Sequence, residues 1–325
     1  MKMEKNQLAR KALLMALIVT AAAMLPRSVY LSQTSKVTEP APIASQTSSF
    51  TVGDGPEAVA FDGTNVWVAN QFSNTVTKLR ATDGFTLGTY SVGNRPVALL
   101  YDGASIWVAN YLSNTVTKLQ ASTGASQGSF ATGTGPGGLA TDGTNVWVAN
   151  RNSNNVTKLS KTTGATVGTY AAGTRPIGLA YDGANIWVTN NLSNDVTKLR
   201  GSDGATLGTF KAGDGPFGVL YDGANIWVSN FFSHDVMKFQ VSNGTVLSTS
   251  KVGDGPAGML SAMGYIWIAN TGGNSVTQIV PGTGAVVATY TTGMSPYGAV
   301  YDSINGNIWV ANASNSTVSK ISLPK

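Results

Sequence analysis

The chain has 325 residues, of which only 11% are charged, against about 25% in ordinary soluble proteins. It has no cysteine, which excludes disulfides, thiolate catalysis and cysteine-ligated zinc. Six of the 21 basic and two of the 16 acidic residues precede residue 46, which leaves 15 and 14 and cuts the formal net charge from +5 to +1; the remainder lacks the concentrated basic stripe that nucleic-acid binding needs.

In chain order, Lys2, Lys5, Arg10 and Lys11 come first, followed by the apolar run Ala12 to Leu25 and then Pro26. A basic start ahead of a short apolar run reads as a secretory signal. The run falls short of the roughly 20 residues a spanning helix wants. Residues 1–30 are therefore expected to be a signal peptide, or alternatively a retained N-terminal anchor. On either reading the rest of the chain is exported, to the periplasm, the cell surface or the medium. Residues 31–48 are rich in Ser, Thr, Gln and Pro and read as a flexible linker.

From residue 49 to 325 the sequence repeats. Trp67, Trp107, Trp147, Trp187, Trp227 and Trp267 stand 40 residues apart and Trp309 follows after 42; these are all the tryptophans of the chain. A period of about 40–45 residues in units rich in short strands marks a β-propeller blade. Within one unit, Pro176–Tyr181, Ile186–Asn190, Asp195–Leu199 and Thr206–Phe210 read as four strands. Turn residues separate them at Asp182-Gly183, Asn191–Asn194 and Asp203-Gly204. The second strand is apolar on both faces, so each Trp is expected to wedge between neighbouring blades as a structural ring.

The expected fold is all-β: a seven-bladed β-propeller with four antiparallel strands per blade. The last unit ends after three strands, because the chain stops at Lys325 where the next hairpin would begin. Phe50-Thr51-Val52-Gly53 matches Tyr90-Ser91-Val92-Gly93, so the N-terminal strand is expected to close the last blade and remove two free sheet edges.

The unit running from Gly-x-x-Pro through Tyr-Asp-Gly and Trp-Val-Ala-Asn to Val-Thr-Lys-Leu resembles the YVTN-type β-propeller repeat, with Trp187-Val188-Thr189-Asn190 as a variant of its tetrapeptide. The resemblance covers Phe50 to Leu323 and implies an exported or surface protein without a defined activity. A related group, the virginiamycin B (streptogramin) lyases, implies a His and Glu with a magnesium ion on one face. Here the repeats hold one His, His234, and one Glu, Glu57, four blades apart, so that activity does not carry over.

No other catalytic constellation stands out, and no metal or cofactor is expected. His234 fills a loop slot that is Asn in five other units: Asn74, Asn114, Asn154, Asn194 and Asn274. The recurrent Asp62, Asp102, Asp142, Asp182, Asp222 and Asp302 read as turn formers, without calcium-loop spacing.

The positions where the units disagree are the candidate binding residues. Two loops per blade reach one face, and their variable members include Arg95, Tyr111, Arg151, Arg175, Phe217, Phe231, Phe232 and Tyr297. These are expected to share one rim although drawn from six repeats. Tyr, Phe and Arg are favoured by recognition surfaces. The opposite face, built from near-identical Asp-Gly turns, is expected to be inert. The functional expectation is a non-enzymatic, monomeric binding or scaffold module for a protein, peptide or glycan. The alternatives are a lyase or hydrolase of the streptogramin-lyase type and a structural surface-layer element.

Overall fold

A computed structural model describes residues 46–323; the expected signal segment and nearly all of the linker lie outside them. The 28 strands among the described residues form seven separate four-stranded antiparallel sheets. Blade one comprises Pro56–Phe61, Asn65–Asn70, Thr75–Arg80 and Thr86–Ser91, and the next five blades repeat this order. The first strands of successive blades pack side by side in a closed ring, so they line the central axis.

Blade seven is assembled from both ends of the chain. Gln46–Thr51 pairs with Thr317–Ser322, with Phe50 opposite Val318. The closing strand starts at Gln46, so residues 46–48, which composition had placed in the linker, pair with Lys320, Ile321 and Ser322. Their Ser and Thr content suits an outer strand with one wet face as well as it suits a tether.

Packing follows the two-faced second strand. All seven tryptophans are fully buried, and each sits among apolar residues of the next blade, as Trp67 does with Ile106, Val108 and Leu119. An outer-strand aromatic lies over six of the indoles at centroid distances of 5.3 to 5.8 Å. Five of these rings also fill the space beside the next blade's hairpin glycine. At Gly124, where φ is +78°, an added Cβ would fall 2.0 Å from the Tyr90 ring, so the turn needs glycine for its backbone and for room. Blade five carries Ser250 at the aromatic position, and its Trp227 has no ring over it.

The recurrent Asp and Lys are joined to this core. Asp62, Asp102, Asp142, Asp182 and Asp222 each accept the indole N–H of their own blade's Trp at 2.7 to 2.9 Å. The blade's lysine lies over the same indole, as Lys158 does over Trp147 at 4.6 Å. Its ammonium donates to a carbonyl of the following blade, Gly201 O in this case, at 2.8 Å. Asp–Trp–Lys is thus a clamp between neighbouring blades as well as a turn. In blade seven the longer turn uses Asp302 for the amides of Ile304 and Asn305, and the buried Trp309 Nε1 has no hydrogen-bond partner.

Candidate functional site at the channel mouth

Antiparallel pairing sets Pro56 opposite Asn70 and Phe61 opposite Val66. The loop entering the first strand and the loop leaving the second therefore lie at the same end of every blade. Backbone bonds tie the two loops together: Tyr111 N–H donates to Arg95 O at 2.8 Å and Phe231 N–H to Gly215 O at 2.9 Å. The loop asparagines link consecutive blades, as when Arg175 N–H donates to Asn154 Oδ1 at 2.9 Å. His234 holds the corresponding place: its Nδ1 accepts from Gly255 N–H at 3.1 Å and lies 2.8 Å from Asp254 Oδ1.

The residues after the prolines, Glu57, Val97, Gly137, Ile177, Phe217, Ala257 and Tyr297, form one register around the axis. Most of them line a cavity of ≈ 210 Å³. Arg151 reaches this ring from its loop by crossing Gly137, where a Cβ would stand 2.2 Å from its Nε. It ends 3.8 Å from Glu57, two blades away, with both side chains nearly buried at 12% and 11% exposure. Its guanidinium lies 5.5 Å from the Tyr111 ring, and that of Arg95 lies 5.1 Å from the same ring. Arg95 also donates to Gln71 Oε1 at 3.3 Å, and Tyr111 to Asn152 Oδ1 at 3.2 Å.

On the far side of the mouth the aromatics touch. Phe217 lies 5.9 Å from Tyr297 and 6.1 Å from Phe231, and Phe231 meets Phe232 edge-on at 5.2 Å. The eight rim residues come from five blades rather than six, since Phe217, Phe231 and Phe232 share one blade and Arg95 and Tyr111 another.

The site's electrostatics follow from this crowding. Burial lowers the basicity of Arg175, helped by the like charges of Arg151 and Arg95. Burial pushes the Glu57 carboxyl above the usual range despite the opposing pull of Arg151 and Arg95. Burial, with the Glu57 charge, pushes the Tyr297 phenol up to about 12. Arg95 and Arg175 also occupy left-handed backbone, at φ +57° and +59°. Four of the seven blades place glycine in that slot, at Gly55, Gly135, Gly215 and Gly255.

Two features escaped the sequence reading. Glu57 belongs to the mouth ring, and the 40-residue period would have placed it there: it precedes Val97 by one unit. The opposite face carries a polar recess of ≈ 510 Å³ between blades one and two, lined in part by Asp62, Lys78, Ser105 and Gln127. Ser105 stands there in place of the Asn of five other blades, and its hydroxyl donates to Gln127. Among the described residues no group of three or more His, Asp or Glu is placed to hold a metal ion.

No family model matches the chain, and no curated protein matches it. Among solved structures it is similar to a streptogramin B lyase, with 17% identity and a TM-score of 0.74 over 86% of this chain and 98% of that one. It is equally similar to a hydrazine synthase of Kuenenia stuttgartiensis, with 17% identity and a TM-score of 0.74 over 90% and 99%. At this identity the likeness is one of fold: the chain is a seven-bladed β-propeller.

Proposed function

We propose that this chain is an exported, non-enzymatic binding module of the YVTN-repeat type that takes its partner on the loop face around the channel mouth. The observation that carries the reading is the placing of Arg95 and Arg175 in left-handed backbone. A non-glycine residue there costs about 1–2 kcal/mol, and glycine serves the same slot in four blades. Crowding three guanidiniums together beside Tyr297 adds repulsion that closing the ring does not require. Local strain of this kind clusters at ligand sites, and here it lies across the mouth from a contiguous aromatic patch.

Two further observations support the reading. The described chain enters at Gln46 opposite Ser322, at the end of blade seven away from the mouth, so this entry point does not occupy the loop face. The lone histidine, which a lyase or hydrolase reading would need, is engaged in the blade-to-blade link at Gly255.

A photoactivatable phenylalanine analogue in place of Phe232 or Leu112, introduced in the producing cell, tests the face. Adducts should form from these positions and be absent when the analogue replaces Thr64 or Ala184. The reverse pattern would place the working surface on the Asp-Gly turns and end the proposal.

A further inference from the structure

Given the loop-face reading, on which this step rests, we infer that the mouth holds the C-terminal residue of a polypeptide, its carboxylate among Arg95, Arg151 and Arg175 and its apolar side chain in the cavity below them.

The argument begins with charge. Three guanidiniums and the single carboxylate of Glu57 surround the Tyr297 phenol, so the site carries an excess of positive charge. The contact that balances part of it is loose: Arg151 and Glu57 stand 3.8 Å apart, against about 2.7–2.9 Å for a formed charge-assisted bond. Arg151 Nε is buried without a hydrogen-bond partner. The groups acting most strongly on Arg175 are Arg151, Tyr111, Tyr297 and Arg95, two cations and two phenols. Guanidinium donors are therefore left over, and their fork geometry suits a carboxylate.

Size and lining come next. At ≈ 210 Å³ the cavity is below the range of about 300–1,000 Å³ that accepts a whole drug-sized ligand. It exceeds the ~150 Å³ that holds a benzene ring, so it accommodates one side chain. Its walls below the cations include Val97, Ile177, Leu139, Met259 and Phe217. Glu57, Arg151 and Tyr297 also line the cavity; against the aliphatic wall a sugar hydroxyl would be left without a partner, which is costly. The occupant must be apolar in the cavity and anionic just above it. A C-terminal amino acid carries both groups on one Cα.

The surroundings favour a chain end over a free acid. The aromatic surface continues outward from the cavity through Phe231 and Phe232. The equivalent loops of blades one and two expose Phe72 by 53% and Leu112 by 61%. A single small acid would leave this apolar surface wet, whereas the residues preceding a C-terminus would cover part of it. Glu57 is then an internal carboxylate that competes with the ligand's own.

The test is calorimetric titration of the full chain with acetyl-Gly-Ser-Ala-Ala-Phe as free acid and as C-terminal amide. N-acetylphenylalanine and trigalacturonate serve as further probes. The free-acid peptide should bind at least tenfold more tightly than its amide and than N-acetylphenylalanine. Arg175→Gly and Arg95→Gly should each weaken it tenfold or more without lowering the melting temperature, because glycine is native to that slot in other blades. Glu57→Gln should tighten it severalfold. Equal binding of acid and amide, no binding at millimolar peptide, or preference for trigalacturonate or for N-acetylphenylalanine would each overturn the inference. All four would leave the loop-face reading standing, since that reading fails only on the crosslinking pattern.

Discussion

Removal of the closing strand gives the most direct test of how the ring is held. A chain beginning at Asp54 lacks Gln46–Thr51, whose six residues pair with Thr317–Ser322, and it lacks Val52, which packs in the same apolar cluster as Trp309 and Val318. Phe50 lies 5.3 Å from the Trp309 ring. Truncating a fully buried Phe to Ala costs about 3–5 kcal/mol; Phe50 is half-buried, so its share is roughly 2 kcal/mol. Each backbone hydrogen bond lost adds about 1 kcal/mol net, and the strand makes several. The total, on the order of 4–6 kcal/mol, is a large part of the roughly 5–15 kcal/mol that holds a typical domain together. A chain beginning at Gln46 keeps all of these contacts. Thermal melts followed by circular dichroism should place the longer chain higher by roughly 8–15 °C. A synthetic peptide of residues 46–53 added in excess should recover part of the difference. Coincident melting curves for the two truncations would show that the strand closes nothing.

Three other outcomes follow from the packing. Ser250→Tyr should supply the ring missing over Trp227 and raise stability by about 1 kcal/mol, read as a shift in the urea midpoint; an unchanged or lower midpoint would show that blade five has repacked around the serine. Burial opposes the charge on Asp102, Asp142, Asp182 and Asp222, but the indole N–H and backbone amides outweigh it and hold the four carboxyls below the usual range. Their contribution is then complete above the unfolded value of about 3.9 and is lost as pH falls through the lower folded values. Denaturation midpoints should accordingly fall steeply only below about pH 4, with a shallower fall in Asp142→Asn. His234→Asn should leave stability within about 0.5 kcal/mol, since asparagine makes the same link elsewhere, whereas His234→Ala should lose about 1 kcal/mol; equal losses in the two variants would refute the assigned role.

The ring, its blade count and its closure were legible because they rest on recurrence: Trp67 to Trp309, the hairpin glycines, and the match of Phe50 to Tyr90. That the two variable loops of each blade share one end was legible from the strand order, but not that members such as Val97, Ile177 and Gln71 are buried. What the sequence hid were relations across blades. Glu57 reads as an isolated acid until Arg151 is seen to cross Gly137 and approach it. Asp142 reads as a turn residue until its second carboxylate oxygen is found on the Trp147 indole. The left-handed backbone at Arg95 and Arg175 has no signature in either arginine; only the glycines in the same slot of other units point to it.

The pairing of Gln46 with Ser322 has a mechanical consequence. Because the two ends of the described chain leave blade seven side by side, a force separating them loads the closing strand from one end. Its bonds to Thr317–Ser322 would then break one after another, as in a zipper, instead of sharing the load as they would in shear. The ring can thus be stable at equilibrium and still yield at low tension. A partner pulling on the propeller while the N-terminal segment is held would bypass this weakness only if it gripped the loop face, where the asparagine links join different blades and neither end of the described chain is engaged.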